Sequence, residues 1–101
     1  MTKPIGYFTS CAQAENLVRL YGDGNLDKLT QVDQSALVVI LGLFLYYETV
    51  YPDGVDNFEN AALDAIHSDD DETTDDIQGA LGCLAGIGKD GAIGILQFLV
   101  Q

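Results

Sequence analysis

From Ala36 to Tyr47 the chain reads ALVVILGLFLYY, without one charged or amide side chain, and no other feature restricts the fold as much. Any regular structure built from these residues is apolar on every side, so the segment is expected to run through the interior of whatever the rest builds. Three structures compete for it. A membrane span needs about 20 predominantly apolar residues with basic flanks, whereas Asp33 and Gln34 close this run on one side and Glu48 on the other, with no Lys or Arg beside either end. A buried strand would suit the β-branched Val38, Val39 and Ile40, but strands generally stop at about 4 to 8 residues. A helix fits the length. Thr30 offers a capping hydroxyl, with Asp33 three positions on to complete a capping-box-like pair. Tyr51 precedes Pro52, and the residue before a proline is driven out of the α region. The expectation is one helix over residues 30–51, about 30 Å long at 1.5 Å per residue.

A chain of 101 residues with 48% hydrophobic content makes one domain, large enough to bury a core without covalent staples. Cys11 and Cys83 are too few and too far apart for a disulfide framework or a zinc site and are expected as small core residues in a reducing compartment. The opening MTKPIGYF has no apolar stretch of the kind a secretory signal needs, which places the expected location in the cytoplasm. Sixteen acidic residues against four basic ones give a net charge of −12. The imbalance is concentrated between Asp53 and Asp76, where no Lys or Arg occurs. Such a field repels phosphates, so neither nucleic acid nor an anionic membrane is an expected direct partner, and a basic protein is.

Around the central segment the other pieces read as shorter helices. Residues 1–9 form an expected extended arm, broken by Pro4 and Gly6, with Ile5, Tyr7 and Phe8 as anchors. Thr9 or Ser10 is placed to cap a helix reaching Tyr21, whose residues Ala14, Leu17, Val18 and Tyr21 draw one apolar stripe. Gly22 stops it. Asp56 and Glu59 frame a second capping box for a helix over about 57–67, with Phe58, Ala62, Leu63 and Ile66 assigned to its inner face. Thr74 is expected to cap a helix whose core face is Ile77, Leu81, Leu84 and Ala85. Its glycines, Gly79, Gly82 and Gly86, suggest close approach by another backbone, with Gly42 of the central helix as the expected counterpart. After the turn Gly88–Gly91, residues 92–100 form a last helix with Ile93, Leu96 and Val100, and also Ile95 and Leu99, apolar. The fold class predicted is an all-α, single-domain bundle of four or five helices around the buried helix at 30–51.

Candidate chemistry is sparse. Asp23, Asn25 and Asp27 have the opening spacing of an EF-hand loop, but Lys28 stands where glycine is needed and Gln34 where a bidentate Glu is needed, so a solvated turn is the better reading. Asp69, Asp70, Asp71, Glu72, Asp75 and Asp76 could attract divalent cations weakly, with His67 alongside; a lone His at a helix end more often compensates the dipole. Acid-base and nucleophilic catalysis recruit His, Cys, Lys or paired carboxylates in a cleft, and this inventory points away from an enzyme and from any cofactor. Tyr46, Tyr47 and Tyr51 cluster near the end of the central helix. Adjacent positions cannot share one core face, so at least one of Tyr46 and Tyr47 is expected at the surface, where tyrosine suits an interface.

The opening MTKPIGYFTS and the stretch LYGDGNLDKLTQVDQSALVVILGLFLY, with its L-[T/N]-x-x-[D/E]-x-x-x-L pattern ahead of an apolar helix, resemble small cyanobacterial proteins of unknown function over about residues 1–47. The resemblance implies a cytoplasmic helical protein of a photosynthetic bacterium and carries no activity or site residue with it. The functional expectation is a non-enzymatic interaction or adaptor module that forms a homo-oligomer. The alternatives are an acidic mimic of nucleic acid, presenting 53–76 to a basic protein, and a divalent-cation binder using 69–76.

Overall fold

The structure, a computed structural model, describes residues 5–22, 26, 28–54, 56–66 and 76–101. Five α-helices follow one another: α1 (Ala12–Tyr21), α2 (Gln31–Val50), α3 (Asn57–Ile66), α4 (Asp76–Leu84) and α5 (Lys89–Leu99), preceded by one 3₁₀ turn at Ile5–Tyr7. No strand occurs among the described residues. The all-α bundle is therefore the observed class, and α2 is its axis. It packs against α3 and α5, while α1 pairs with α4 and touches α5.

α2 begins and ends where its sequence signals stand. Thr30 is extended, and its Oγ1 accepts a hydrogen bond of 3.0 Å from the Asp33 backbone N–H. Asp33 is itself fully buried in the first turn, where the positive end of the helix dipole favours a carboxylate. Gln34 reaches back and donates from Nε2 to the carbonyls of Leu26 and Leu29, at 3.1 and 3.2 Å. Those bonds hold the preceding turn, in which buried Leu26 has a φ of 54°, a left-handed conformation costing a bulky L-residue on the order of 1 kcal/mol. At the other end Tyr51 closes the helix, its N–H bonded to the Tyr47 carbonyl.

The inner side of α2 presents Leu37, Ile40, Leu41 and Phe44 to one core shared with Leu17 of α1, Ala61 of α3, Ile77 and Leu84 of α4, and Ala92, Ile95 and Phe98 of α5. Each fully buried aliphatic or aromatic side chain there contributes about 1.5 to 3 kcal/mol of transfer free energy. Phe44 meets Phe58 edge to face with centroids 5.7 Å apart. No buried side-chain nitrogen or oxygen among the described residues lacks a hydrogen-bond partner.

The shorter helices differ from expectation in detail. The cap of α1 is Cys11, one residue later than expected, with no side-chain bond. Thr9 instead accepts from the Cys11 N–H at 3.4 Å. The expected extended arm is not extended where it is described: Phe8 and Thr9 donate back to the Ile5 carbonyl, Ile5 is buried, and Tyr7 points outward. In α3, Ala61 is buried and Leu63 is exposed, because Leu63 lies about 140° around the helix from Phe58 at 100° per residue. Ala80 of α4 is buried, and Ala85, expected on its core face, lies just past its end and is exposed. α5 starts at Lys89, inside the expected turn, and turns Ala92, Gly94, Ile95 and Phe98 inward rather than Ile93 and Val100.

The glycine expectation is overturned. Gly42 is exposed with nothing within 4 Å of a Cβ position, and so is Gly82. Gly79 lies beneath the Tyr21 hydroxyl of α1. Gly86, with φ of +81°, ends α4 in the left-handed conformation that glycine adopts without steric cost. The close backbone approach falls at Gly94, where a Cβ would stand 2.6 Å from the Thr9 Cβ and 2.9 Å from the Phe8 carbonyl oxygen.

Candidate functional site

Because α2 carries no charged or amide side chain from Ala36 to Tyr47, what its neighbours leave uncovered there is largely apolar too. They cover one side. Val32, Val39, Tyr46 and Val50 remain 42, 51, 61 and 44% exposed, and Ser35, Gly42 and Thr49 lie open between them. At 100° per residue these positions share one face, opposite Leu37, Ile40, Leu41 and Phe44. None of the seven is charged, although the chain carries a net charge of −12. The strip from Val32 to Val50 is about 27 Å long at 1.5 Å per residue. α2 is the helix among the described residues that is long and apolar enough to cross a membrane, and its inner side is spent on α3 and α5.

At its C-terminal end the open face runs into the tyrosine cluster. Tyr46 and Tyr47 have ring centroids 6.0 Å apart, and Tyr47 and Tyr51 6.3 Å. Tyr46 and Tyr51 are exposed, while Tyr47 is half-buried against α3. The Tyr47 hydroxyl donates to Asp64 Oδ2 at 2.5 Å. This bond, aided by partial burial and by the charge of Asp64, raises the Tyr47 phenol above its ordinary range. Tyr47, Tyr51, Asn57, Asn60, Leu63 and Asp64 line a shallow hollow of about 290 Å³. Leu63, 67% exposed, forms its apolar wall.

Beneath the cluster the α2–α3 corner is fastened by Asn57. This buried amide donates from Nδ2 to Glu48 Oε2 at 2.5 Å and to the Tyr51 carbonyl at 3.0 Å. Beside it a second hollow of about 210 Å³ lies between Phe44, Glu48, Asp56, Phe58, Glu59 and the α4–α5 turn. Both are smaller than the roughly 300 to 1,000 Å³ of a small-molecule site. Among the described residues no three His, Cys, Asp or Glu side chains are close enough to hold a metal ion.

Of the residues singled out in the sequence, Tyr46, Tyr47 and Tyr51 are brought together, and Asp76 stands exposed at the start of α4, away from them. Asp69, Asp70, Asp71, Glu72 and Asp75, as well as Asp23, Asn25, Asp27, His67 and Thr74, lie outside the described residues. Cys11 and Cys83 are free and half-buried, packed against the core rather than inside it. Burial pushes the Cys83 thiol up, and Arg19 opposes that shift. The outward Val32, Val39 and Val50 and the exposed Leu63 were missed from the sequence. The signal for the three valines was available in the helical wheel of α2, as the arc opposite Leu37. No protein-family model, no characterised protein and no solved structure matches this chain, so function is argued from the surface alone.

Proposed function

We propose that this protein is a non-enzymatic protein–protein interaction module whose contact surface is the outer face of α2 together with Tyr46 and Tyr51. One observation carries the reading: a long apolar strip free of charge, on a chain in which 16 of 101 residues are acidic. An exposed apolar patch extending over several helical turns marks a surface that meets another molecule. Tyrosine at its end supplies buried area with a polar tip, as interfaces favour. The sparse catalytic inventory and the small hollows agree with a binding role.

The test is co-purification of the tagged chain from its native cell, compared with the Val39→Asp and Tyr46→Asp variants. Both substitutions are on the surface, so the helical circular dichroism and melting temperature should be unchanged. Loss of the same protein from both variants supports the reading; an unchanged set of companions refutes it. Apolar recognition should also survive added salt. Companions that leave as salt rises would favour the acidic-mimic alternative instead, because screening acts on exposed charges.

A further inference from the structure

We infer that the outer face of α2 receives a second copy of this chain, docked antiparallel about a two-fold axis. The inference rests on the interaction reading above and names its partner. The first argument is spacing. Val32, Val39 and Tyr46 recur every seven residues, and Ser35, Gly42 and Thr49 recur every seven between them, which is the repeat of two helices meeting along a seam. Set antiparallel against itself, the seam pairs large with small at these six heptad positions, while Val50 at its end meets the exposed Gln31 of the other copy. Tyr46 lies over Ser35 of the other copy, Val39 over Gly42 and Val32 over Thr49, each pair of numbers summing to 81. In a parallel pair large residues meet large ones and small meet small, which leaves gaps that close packing does not tolerate.

Gly42 supplies the second argument. It sits mid-helix on an exposed face with nothing within 4 Å of a Cβ position. Glycine weakens a helix there relative to alanine, and nothing in its own chain requires it. A second backbone passing close over that point does.

Charge is the third. Lys28 in the turn just before α2 and Asp53 in the turn just after it are both exposed, so an antiparallel pair sets the Lys28 end of one copy beside the Asp53 end of the other. The antiparallel pair therefore brings opposite charges together at both ends and opposes the two helix dipoles. A parallel pair would set Lys28 against Lys28 and Asp53 against Asp53. A strip about 27 Å long and one helix, about 10 Å, wide measures about 270 Å² per copy, or about 540 Å² in all. That area is below the roughly 1,000 Å² of a stable specific interface and fits a weak, readily reversible dimer with a dissociation constant on the order of 100 μM.

Sedimentation equilibrium of the full chain from about 1 to 500 μM, a range spanning that affinity, is the experiment. The wild type should pass from monomer to dimer and associate more tightly at higher salt, because screening relieves the repulsion between two chains of net charge −12. Gly42→Leu should raise the melting temperature of dilute protein and weaken the dimer at least tenfold. A purely structural role for Gly42 would not move the two in opposite directions. Val39→Asp should be monomeric with unchanged circular dichroism. Spin labels on Gln31→Cys, in a Cys11→Ala, Cys83→Ala background, should lie about 28 Å or more apart across the dimer, against about 10 Å if the helices are parallel. A wild-type monomer at the highest concentration overturns the inference. If Val39→Asp nevertheless loses a co-purifying protein, the interaction module stands with a different partner. Binding of the monomer to zwitterionic lipid vesicles overturns the dimer in favour of lipid, and a dimer indifferent to Gly42→Leu and Val39→Asp places self-association on another surface.

Discussion

The two sides of α2 are built from the same kinds of residue and meet opposite fates. Leu37, Ile40, Leu41 and Phe44 lose almost all contact with water, while Val32, Val39, Tyr46 and Val50 keep about half of theirs. The difference lies in how many neighbours one chain can bring to one helix. α3 and α5 flank it, and the remaining helices, α1 and α4, are spent mainly on each other. Hydrophobicity shows that a surface should be dry; topology decides which surface one copy can dry.

That contrast predicts a large asymmetry in stability. Phe44→Ala removes a ring packed against Phe58 and leaves a cavity, and should cost about 3 to 5 kcal/mol in urea denaturation. Val39→Ala, five residues away on the outer side, should stay within about 0.5 kcal/mol for dilute protein. Equal losses would mean that the outer face is packed in the monomer.

Glycine gives a sharper version, with opposite signs. Gly94→Ala forces a methyl group against Thr9 and the Phe8 carbonyl, and should destabilise by about 1 to 3 kcal/mol through overpacking. Gly42→Ala meets nothing and should stabilise the dilute monomer by about 1 kcal/mol through helix propensity alone. Thermal melts of the two variants side by side check both.

The N-terminus of α2 offers an intermediate effect. Thr30→Ala removes the acceptor for the Asp33 N–H and should cost about 1 kcal/mol. A loss near zero would mean that the turn held by Gln34 fixes the helix start without the cap.

The smallest effect is expected at the tyrosine edge. The Asp64 carboxylate keeps the Tyr47 phenol protonated to higher pH than ordinary. Since the folded value is raised, the stabilisation from this bond is complete below the ordinary tyrosine range and fades as pH climbs through the folded value. Ultraviolet titration of phenolate should show Asp64→Ala bringing Tyr47 back towards normal. An unchanged titration curve would remove the α2–α3 hydrogen bond from the account.

Local signals were legible in the sequence. The span of α2 follows from Thr30, Asp33 and Tyr51–Pro52, and α1 shows the stripe of Leu17, Val18 and Tyr21 that its spacing draws. Harder to read were residues with two plausible faces. In α5, Ile93, Leu96 and Val100 form as regular a stripe as Ala92, Ile95 and Phe98, and the second is the buried one, on the side where Gly94 admits the chain at Phe8 and Thr9. Leu63 was misplaced for a similar reason, since α3 buries small alanines against α2 and turns its larger aliphatic residue outward. The tyrosine cluster was visible as a cluster, but its tie to Asp64 and the neighbouring Asn57–Glu48 link join separate helices and leave no local pattern.

By itself the sequence determined that the chain is helical, where its long helix starts and stops, and that this helix has more apolar surface than polar. These follow from capping, proline and side-chain character, which act within a few residues. Only the tertiary structure decided which arc of that helix is covered, because coverage depends on the directions from which α3 and α5 arrive. What they leave bare is the surface on which the function proposed here is built.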